Sequence, residues 1–396
     1  MRAFVFTDKS LASQAGRFVW LEIDTEKAQN APLKKKFPIP ALPSFFVVDP
    51  DSERVALRWV GGATVAQLDK ILNDGRAAVA TAHGHPAAAG GTSSRGNAAR
   101  SPADAALARA DRLYGEAKNA EAAKAYQEAL AAVPEGWPRY ARAVESLLFA
   151  RSQCDSNEAV AKLARDAYPK LRRTASAANV AGSGLDAALQ LAADNPQRKD
   201  LVAALEADCR EVVADLKLKA AADDRSGVYL TLVDARKDAK DDAGAKETAI
   251  RWAAFLDGEA SRAKTPGARV VFDSHRLTAY IAMGEPQRAV PMLQASERDM
   301  PDDYNPPARL ALAYKAMQRW DDALAASDRA LAKVYGPRKL TVLQARADIY
   351  AGRKDPAMVR STLEEALRFA EALPAGQKSE TTIASLHKKI GALAPP

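Results

Sequence analysis

Tyr280, Gly284 and Ala289 return one period later as Tyr314, Gln318 and Ala323, and Ala357 follows after another, so that Ala289, Ala323 and Ala357 stand 34 residues apart. A chain that repeats at this interval is built of small units that bury their faces against sequence neighbours, which predicts an open array of helix pairs rather than one closed core. The length of 396 residues agrees, because a single hydrophobic core stops growing well below that size. Composition points to close helix contacts: 87 residues are Ala and only 6% are aromatic, which favours helix against helix over a large β core.

Several function classes fall away. Lys and Arg number 57 against 50 Asp and Glu, a net charge of +7. The basic groups Lys34-Lys35-Lys36, Arg172-Arg173 and Lys388-Lys389 are interleaved with acids and lack an aromatic stacking series, so they read as solvated helix faces and no nucleic-acid partner is expected. Cys154 and Cys209 lie 55 positions apart and form no C-x-x-C pair, which argues against a disulfide framework or a thiolate zinc site. Both read as packing or partly exposed thiols. His83-Gly84-His85 falls in a stretch without a third ligand, and His275 and His387 have no partner at catalytic spacing. Catalytic, cofactor-binding and metal residues are therefore assigned to none, and no cofactor is expected. No apolar run approaches the roughly 20 residues of a membrane span. Met1 to Phe6 is too short, and too soon followed by Asp8 and Lys9, for a signal peptide. As it stands the chain reads as cytoplasmic, or as periplasmic or exported if a signal peptide lies in a missing N-terminal portion.

Three zones separate along the chain. Residues 1–74 hold β-type clusters at Phe18 to Ile23, Phe45 to Val48 and Arg54 to Val60, with helices expected at Thr25 to Lys36 and Thr64 to Asn73, the latter leaving at Asp74-Gly75. Residues 75–102 are rich in Ala, Gly, Ser and Pro without periodicity and read as a flexible linker. From Ala103 helical spacing dominates, with degenerate repeats over 103–263, clearer ones over 264–374 and a C-terminal helix or tail over 375–396. Gly182-Ser183-Gly184 and Pro196 are expected to mark irregular connections.

The 34-residue period resembles the tetratricopeptide repeat, with an aromatic in the first helix and Ala in the second. Leu277, Tyr280, Gly284, Ala289 and Pro301 form one copy, and Tyr314, Ala323 and Ala330 the next. A third copy, at 339–374, places Tyr350 and Ala366 in register only with two inserted residues. Ala110, Leu113, Ala122, Tyr126, Ala129 and Pro134 form an early copy. The family's two-carboxylate clamp is not expected, because its polar positions hold Ser274, Thr278, Ala308 and Leu312.

Residues 1–74 resemble the second half of a thioredoxin fold. The resemblance rests on Phe18 to Asp24, on Lys36-Phe37-Pro38-Ile39-Pro40, on Leu42-Pro43-Ser44-Phe45 as the cis-proline segment, on the turn from Asp49 to Arg54, and on Trp59-Val60-Gly61-Gly62. It implies Leu42, Pro43 and Ser44 as candidates for a substrate groove and an active-site C-x-x-C that has no counterpart in this chain. Half of such a fold leaves the Phe45, Val47, Leu57 and Trp59 faces poorly covered, so either the true start lies upstream or the half-domain docks on the helices or a partner.

The expected fold is mainly α, a helical-repeat array preceded by a partial α/β half-domain. The expected function is a protein-interaction module that presents a protein or peptide partner to a redox-inactive thioredoxin-like domain. The alternative is a truncated thiol-disulfide oxidoreductase whose C-x-x-C lies upstream of Met1.

Overall fold

The computed structural model describes residues 1, 4–84 and 101–393. The chain is mainly α. A single two-stranded sheet is seen among the described residues, and no helix there is long and apolar enough to cross a membrane. The chain divides into two compact units, residues 1–18 with 39–248, and residues 19–38 with 249–396. In this division the hairpin and the early helices belong to one unit, while residues 19–38 belong with the later helices.

In chain order the elements are α1 (Ala31–Lys36), β1 (Ser44–Val48), β2 (Val55–Val60), α2 (Val65–Ala82), α3 (Pro102–Gly115), α4 (Asn119–Ala131), α5 (Tyr140–Ser152), α6 (Asn157–Leu171), α7 (Ala177–Leu189), α8 (Arg198–Ala214) and α9 (Ala222–Asp238). They continue with α10 (Asp242–Arg262), α11 (Pro266–Arg269), α12 (Asp273–Ala282), α13 (Ala289–Asp299), α14 (Asn305–Ala316), α15 (Trp320–Leu331), α16 (Arg338–Gly352), α17 (Pro356–Ala372) and α18 (Glu380–Gly391). The unit boundary falls inside α10.

In the first unit β1 and β2 run antiparallel, with Phe45 opposite Trp59 and Val47 opposite Leu57. Their inner side chains pack with Val5, Ala63, Leu68, Ile71 and Leu72, so α2 covers the face that the sequence left open. The opposite side of β2 packs on α3, so the hairpin lies between helices of the same unit. Helices α3 to α9 follow as antiparallel pairs, each touching the next, with α7 also touching α9. Ala110, Ala122, Ala129, Ala143 and Ala164 have no exposed surface, and these small side chains let neighbouring helices approach closely. In the second unit α12 to α17 repeat the pairing, and α18 packs on α17.

The turns after α3, α9, α12, α14 and α16 share one device. Ala117, Lys240, Gly284, Gln318 and Lys354 all have left-handed backbone, with φ between 58° and 83°. The amide of the following residue then donates five positions back, as in Glu285 to Tyr280, Arg319 to Tyr314 and Asp355 to Tyr350. This closes carbonyls that the helix end would otherwise leave open.

Several expectations are corrected. Residues 18–23 form no strand, and Val19 and Leu21 are 89% and 79% exposed. A strand needs a ladder partner, and the described sheet ends with β1 and β2. The helix expected from Thr25 begins only at Ala31, which places Pro32 in the first turn where its missing N–H does no harm. Helix α2 does not leave at Asp74-Gly75 but runs to Ala82, so the linker cannot begin at 75; its residues 85–100 lie outside those described. Gly75 serves close approach instead, since a Cβ there would stand 2.6 Å from Val47. Gly182, Ser183 and Gly184 lie within α7 and break nothing. Gly184 packs so tightly that a Cβ would stand 2.4 Å from the Cβ of Ala164.

Candidate functional site

The first unit gathers a polar network where α2 meets the helix pairs. Thr64 and Gln67 form a reciprocal capping box that starts α2, and Asp74 lies two turns further along the same helix. Asp74 accepts from Arg139 at 2.8 Å and from Arg142 at 2.9 Å, both at the start of α5. Arg142 also donates to both oxygens of Asp111 on α3, whose Oδ1 accepts from the Tyr126 hydroxyl at 2.8 Å. Arg139 and the Trp137 indole both donate to Asp104 at 3.0 Å. On the sheet side Arg58 is buried, donates to the carbonyl of Tyr114 at 3.2 Å and lies over that ring at 4.6 Å. Hydrogen bonds and a ring face compensate part of its lost hydration.

Beside this network runs a groove of about 780 Å³, lined by Gln67, Lys70, Ile71, Tyr140, Lys170 and Leu171 among others. Lys170 lies over the Tyr140 ring at 5.4 Å. At its floor Glu145 of α5 accepts from Ser176 and from Asn179 at 2.6 Å, while Gln67 reaches it at 3.5 Å. Burial raises the Glu145 carboxyl above its usual range despite these bonds. Burial, helped by the charges of Glu145 and Asp223, pushes Asp224 of α9 up to about 7. Both acids therefore hold protons more readily than exposed carboxylates do.

The sequence-derived groove candidates sit elsewhere. The Leu42-Pro43 bond is cis, Leu42 is exposed, Pro43 accepts from Gly61 N at 2.9 Å and Ser44 opens β1 opposite Val60. None of Leu42, Pro43 and Ser44 lines the 780 Å³ groove. Of the repeat positions, Tyr126, Ala129, Tyr280, Ala289, Tyr314, Ala323 and Ala330 are buried, and Gly284 forms its turn. Ala357 is the exception. It is exposed, and Val359 takes the buried place, because the third copy carries two extra residues ahead of its turn.

In the second unit the repeat tyrosines each meet a guanidinium: Arg288 over Tyr280 at 4.8 Å, Arg319 over Tyr314 at 4.8 Å and Arg346 over Tyr350 at 5.4 Å. Asp257 accepts from the Tyr280 hydroxyl, from Arg276 at 2.9 Å and from Arg288 at 3.1 Å.

The remaining reactive side chains resolve simply. Burial raises the thiol pKa of Cys154, and raises that of Cys209 strongly, so neither is poised as a thiolate. His387 lies 3.7 Å from Glu371, and His275 is tilted against Trp252 at 5.9 Å between ring centres. His83 has two carboxylate neighbours that sequence spacing did not reveal: Nε2 is 2.9 Å from Asp49 and Nδ1 is 3.6 Å from Asp51. The three side chains could each offer a metal one atom, and these atoms lie within 4.8 Å of one another. Each ring nitrogen already faces a carboxylate, so the arrangement acts as an ion-paired latch between the end of α2 and the β1–β2 turn. His85 lies outside the described residues.

No protein-family model matches the chain, and no curated protein sequence matches it. Among solved structures it is similar to a tetratricopeptide repeat protein from Parabacteroides merdae, at 9% identity and a TM-score of 0.47 over 73% of this chain and 99% of that one. It is also similar to the Cut9–Hcn1 hetero-tetramer of APC/C, at 13% identity and a TM-score of 0.31 over 75% of this chain and 52% of that one. A third is the TPR2AB domain of yeast Sti1 in complex with pHSP90, at 16% identity and a TM-score of 0.25 over 73% of this chain and 98% of that one. At these scores the helix-pair architecture stands on the chain's own contacts and on its 34-residue spacing.

Proposed function

We propose that the chain is a protein-interaction module and that a segment of a protein partner lies in the groove beside α2. The groove itself carries this reading. It is open and about 780 Å³ in volume, with the half-buried Tyr140 and the exposed Lys70 and Lys170 above a floor that includes the buried Ile71 and Leu171. Such a lining suits an extended or helical segment with apolar anchors and an acidic rim. Stacked helix pairs supply a stiff frame for it, since each pair is held by its neighbours.

Residues 1–74, which resemble the second half of a thioredoxin fold, are read in this chain as a docking element without redox work. Residues 1–84 contain no cysteine, and the two thiols that exist are held protonated. The polypeptide should therefore leave insulin unreduced, and turnover of insulin by it would overturn the redox-inactive reading.

The partner reading is tested by using the full chain as bait in extracts of its own cells and mapping lysine-directed crosslinks. A partner crosslinked to Lys70 and Lys170, and lost from the Lys70→Glu/Lys170→Glu chain, supports the groove. Capture that is indifferent to this charge reversal sinks it.

A further inference from the structure

A second surface already holds a peptide, one from the chain itself. Residues 24–31 lie on the α15–α16 and α17–α18 connections of the second unit. The Tyr335 hydroxyl donates to Asp24 at 2.6 Å, and the Gln377 side-chain amide donates to the carbonyl of Thr25 at 2.9 Å. Glu26 accepts from the backbone amide of Arg338 at 3.1 Å and lies 3.5 Å from its guanidinium. Arg338 is the first residue of α16, whose N-cap, Pro337, provides no side-chain hydrogen bond. Glu26 thus supplies the negative charge that a helix N-terminus favours, from a segment more than 300 residues away in sequence.

The backbone is received as closely as the side chains. A Cβ on Gly336 would stand 2.1 Å from the carbonyl oxygen of Glu26, and one on Gly376 would stand 2.1 Å from that of Ala31. Two glycines therefore open the surface to a main chain at two separate points. The segment itself is lightly held. Of its residues only Ala31 is buried, and its own turn is set by Glu26 N donating to Asp24 and Asn30 donating to the Asp24 carbonyl. Few buried apolar contacts place such a segment at the low-stability end of the structure.

We propose that residues 24–31 are a built-in stand-in for a partner, and that the surface beneath them recognises an acidic Asp-x-Glu segment of another protein, which displaces them. The donors of Tyr335, Arg338 and Gln377 match two carboxylates and one carbonyl in a fixed order, while the glycines admit any backbone of that course. This deepens the reading of the chain as an interaction module but uses a different surface from the groove beside α2. Reversing Lys70 and Lys170 leaves it untouched, so either proposal can fail without the other.

The probe is a fluorescent peptide with the sequence Glu-Ile-Asp-Thr-Glu-Lys-Ala-Gln-Asn-Ala, added to full-length chain and followed by polarisation. The Asp24→Asn/Glu26→Gln chain, whose own segment competes less, should bind it at least ten-fold more tightly than the wild type. A Tyr335→Phe change in that background should weaken binding several-fold, and a peptide with Asn and Gln in place of its acids should bind at least ten-fold less well. If the Asp24→Asn/Glu26→Gln chain melts earlier, the peptide should raise its Tm. Absence of peptide binding, binding indifferent to the two acids, or an unshifted Tm in a chain so weakened overturns the proposal.

Discussion

Arg142 donates to both carboxylate oxygens of Asp111, at 2.8 and 3.0 Å, while its Nε reaches Asp74 at 2.9 Å, so one guanidinium joins α3, α5 and α2. Burial alone would favour losing its proton, but the two carboxylates reverse this and hold it charged. Removing one partner from such a site leaves a buried charge unmatched. Arg142→Ala should lower unfolding free energy by about 3–5 kcal/mol in urea titrations. Asp74→Ala, which leaves Asp111 in place, should cost less and should raise amide exchange along α2 before the helix pairs open.

Glu145 and Asp224 should make the protein less stable as pH rises. An acid whose folded pKa lies above its unfolded value binds more protons when folded, so stability is lost between the unfolded value, near 3.8 for Asp224, and the folded value of about 7. Asp224→Asn removes that loss. The variant should match the wild type near pH 4 and exceed it by on the order of 4 kcal/mol at pH 8, as read from paired denaturation curves. A variant no more stable at pH 8 than at pH 4, relative to wild type, would refute the burial argument.

The left-handed turns offer stabilising changes. Gln318 and Lys354 adopt φ of 58° and 62°, where an L side chain crowds the carbonyl that glycine avoids. Replacing either by Gly should raise stability by up to about 1 kcal/mol, and Gly284→Ala should lower it by a similar amount. Thermal melts of the three single variants compare the same turn in three copies.

The repeats were legible because their spacing depends on packing positions that side-chain type reveals, such as Tyr280, Ala289, Tyr314 and Ala323. The hairpin was legible from its β-branched and aromatic runs. What stayed hidden depends on tertiary partners. Phe18 to Ile23 has strand composition but no ladder to join, and Gly75 and Gly184 look like helix ends although close neighbours explain them. Asp74, Arg142, Glu145 and Asp224 are ordinary surface residues in sequence and become a network only when helices distant in the chain converge. The turns at Ala117, Lys240, Gln318 and Lys354 lack the glycine that marks Gly284, so composition could not show that they share its geometry.

Gly184 makes the close-packing argument measurable. Its ideal Cβ would meet the Cβ of Ala164 at 2.4 Å and a methyl of Leu205 at 2.8 Å, and the α6 contact cannot yield without moving a helix. Gly184→Ala should therefore cost about 1–3 kcal/mol, although Ala is the better helix former. Gly227, around which a Cβ would meet nothing within 4 Å, provides the contrast. Gly227→Ala should be neutral or stabilising in the same urea titration.

The latch between His83 and Asp49 should act over a limited pH window. The hydrogen bond and charge of Asp49 raise the imidazole pKa above 6.5, with Asp51 adding to the effect. Hydrogen bonds from Ser52 first and His83 second bring the Asp49 carboxyl down to about 2 from 3.8. The imidazole contributes stability that is complete below pH 6.5 and is lost as pH rises through its raised folded value. The carboxylate contributes stability that is present above pH 3.8 and is lost as pH falls toward about 2. Protection of the last turn of α2 against hydrogen exchange, compared between wild type and His83→Gln, should therefore differ most between about pH 4 and 6.5 and converge on either side. A difference that stays constant from pH 4 to pH 9 would mean that packing, rather than the ion pair, holds that turn.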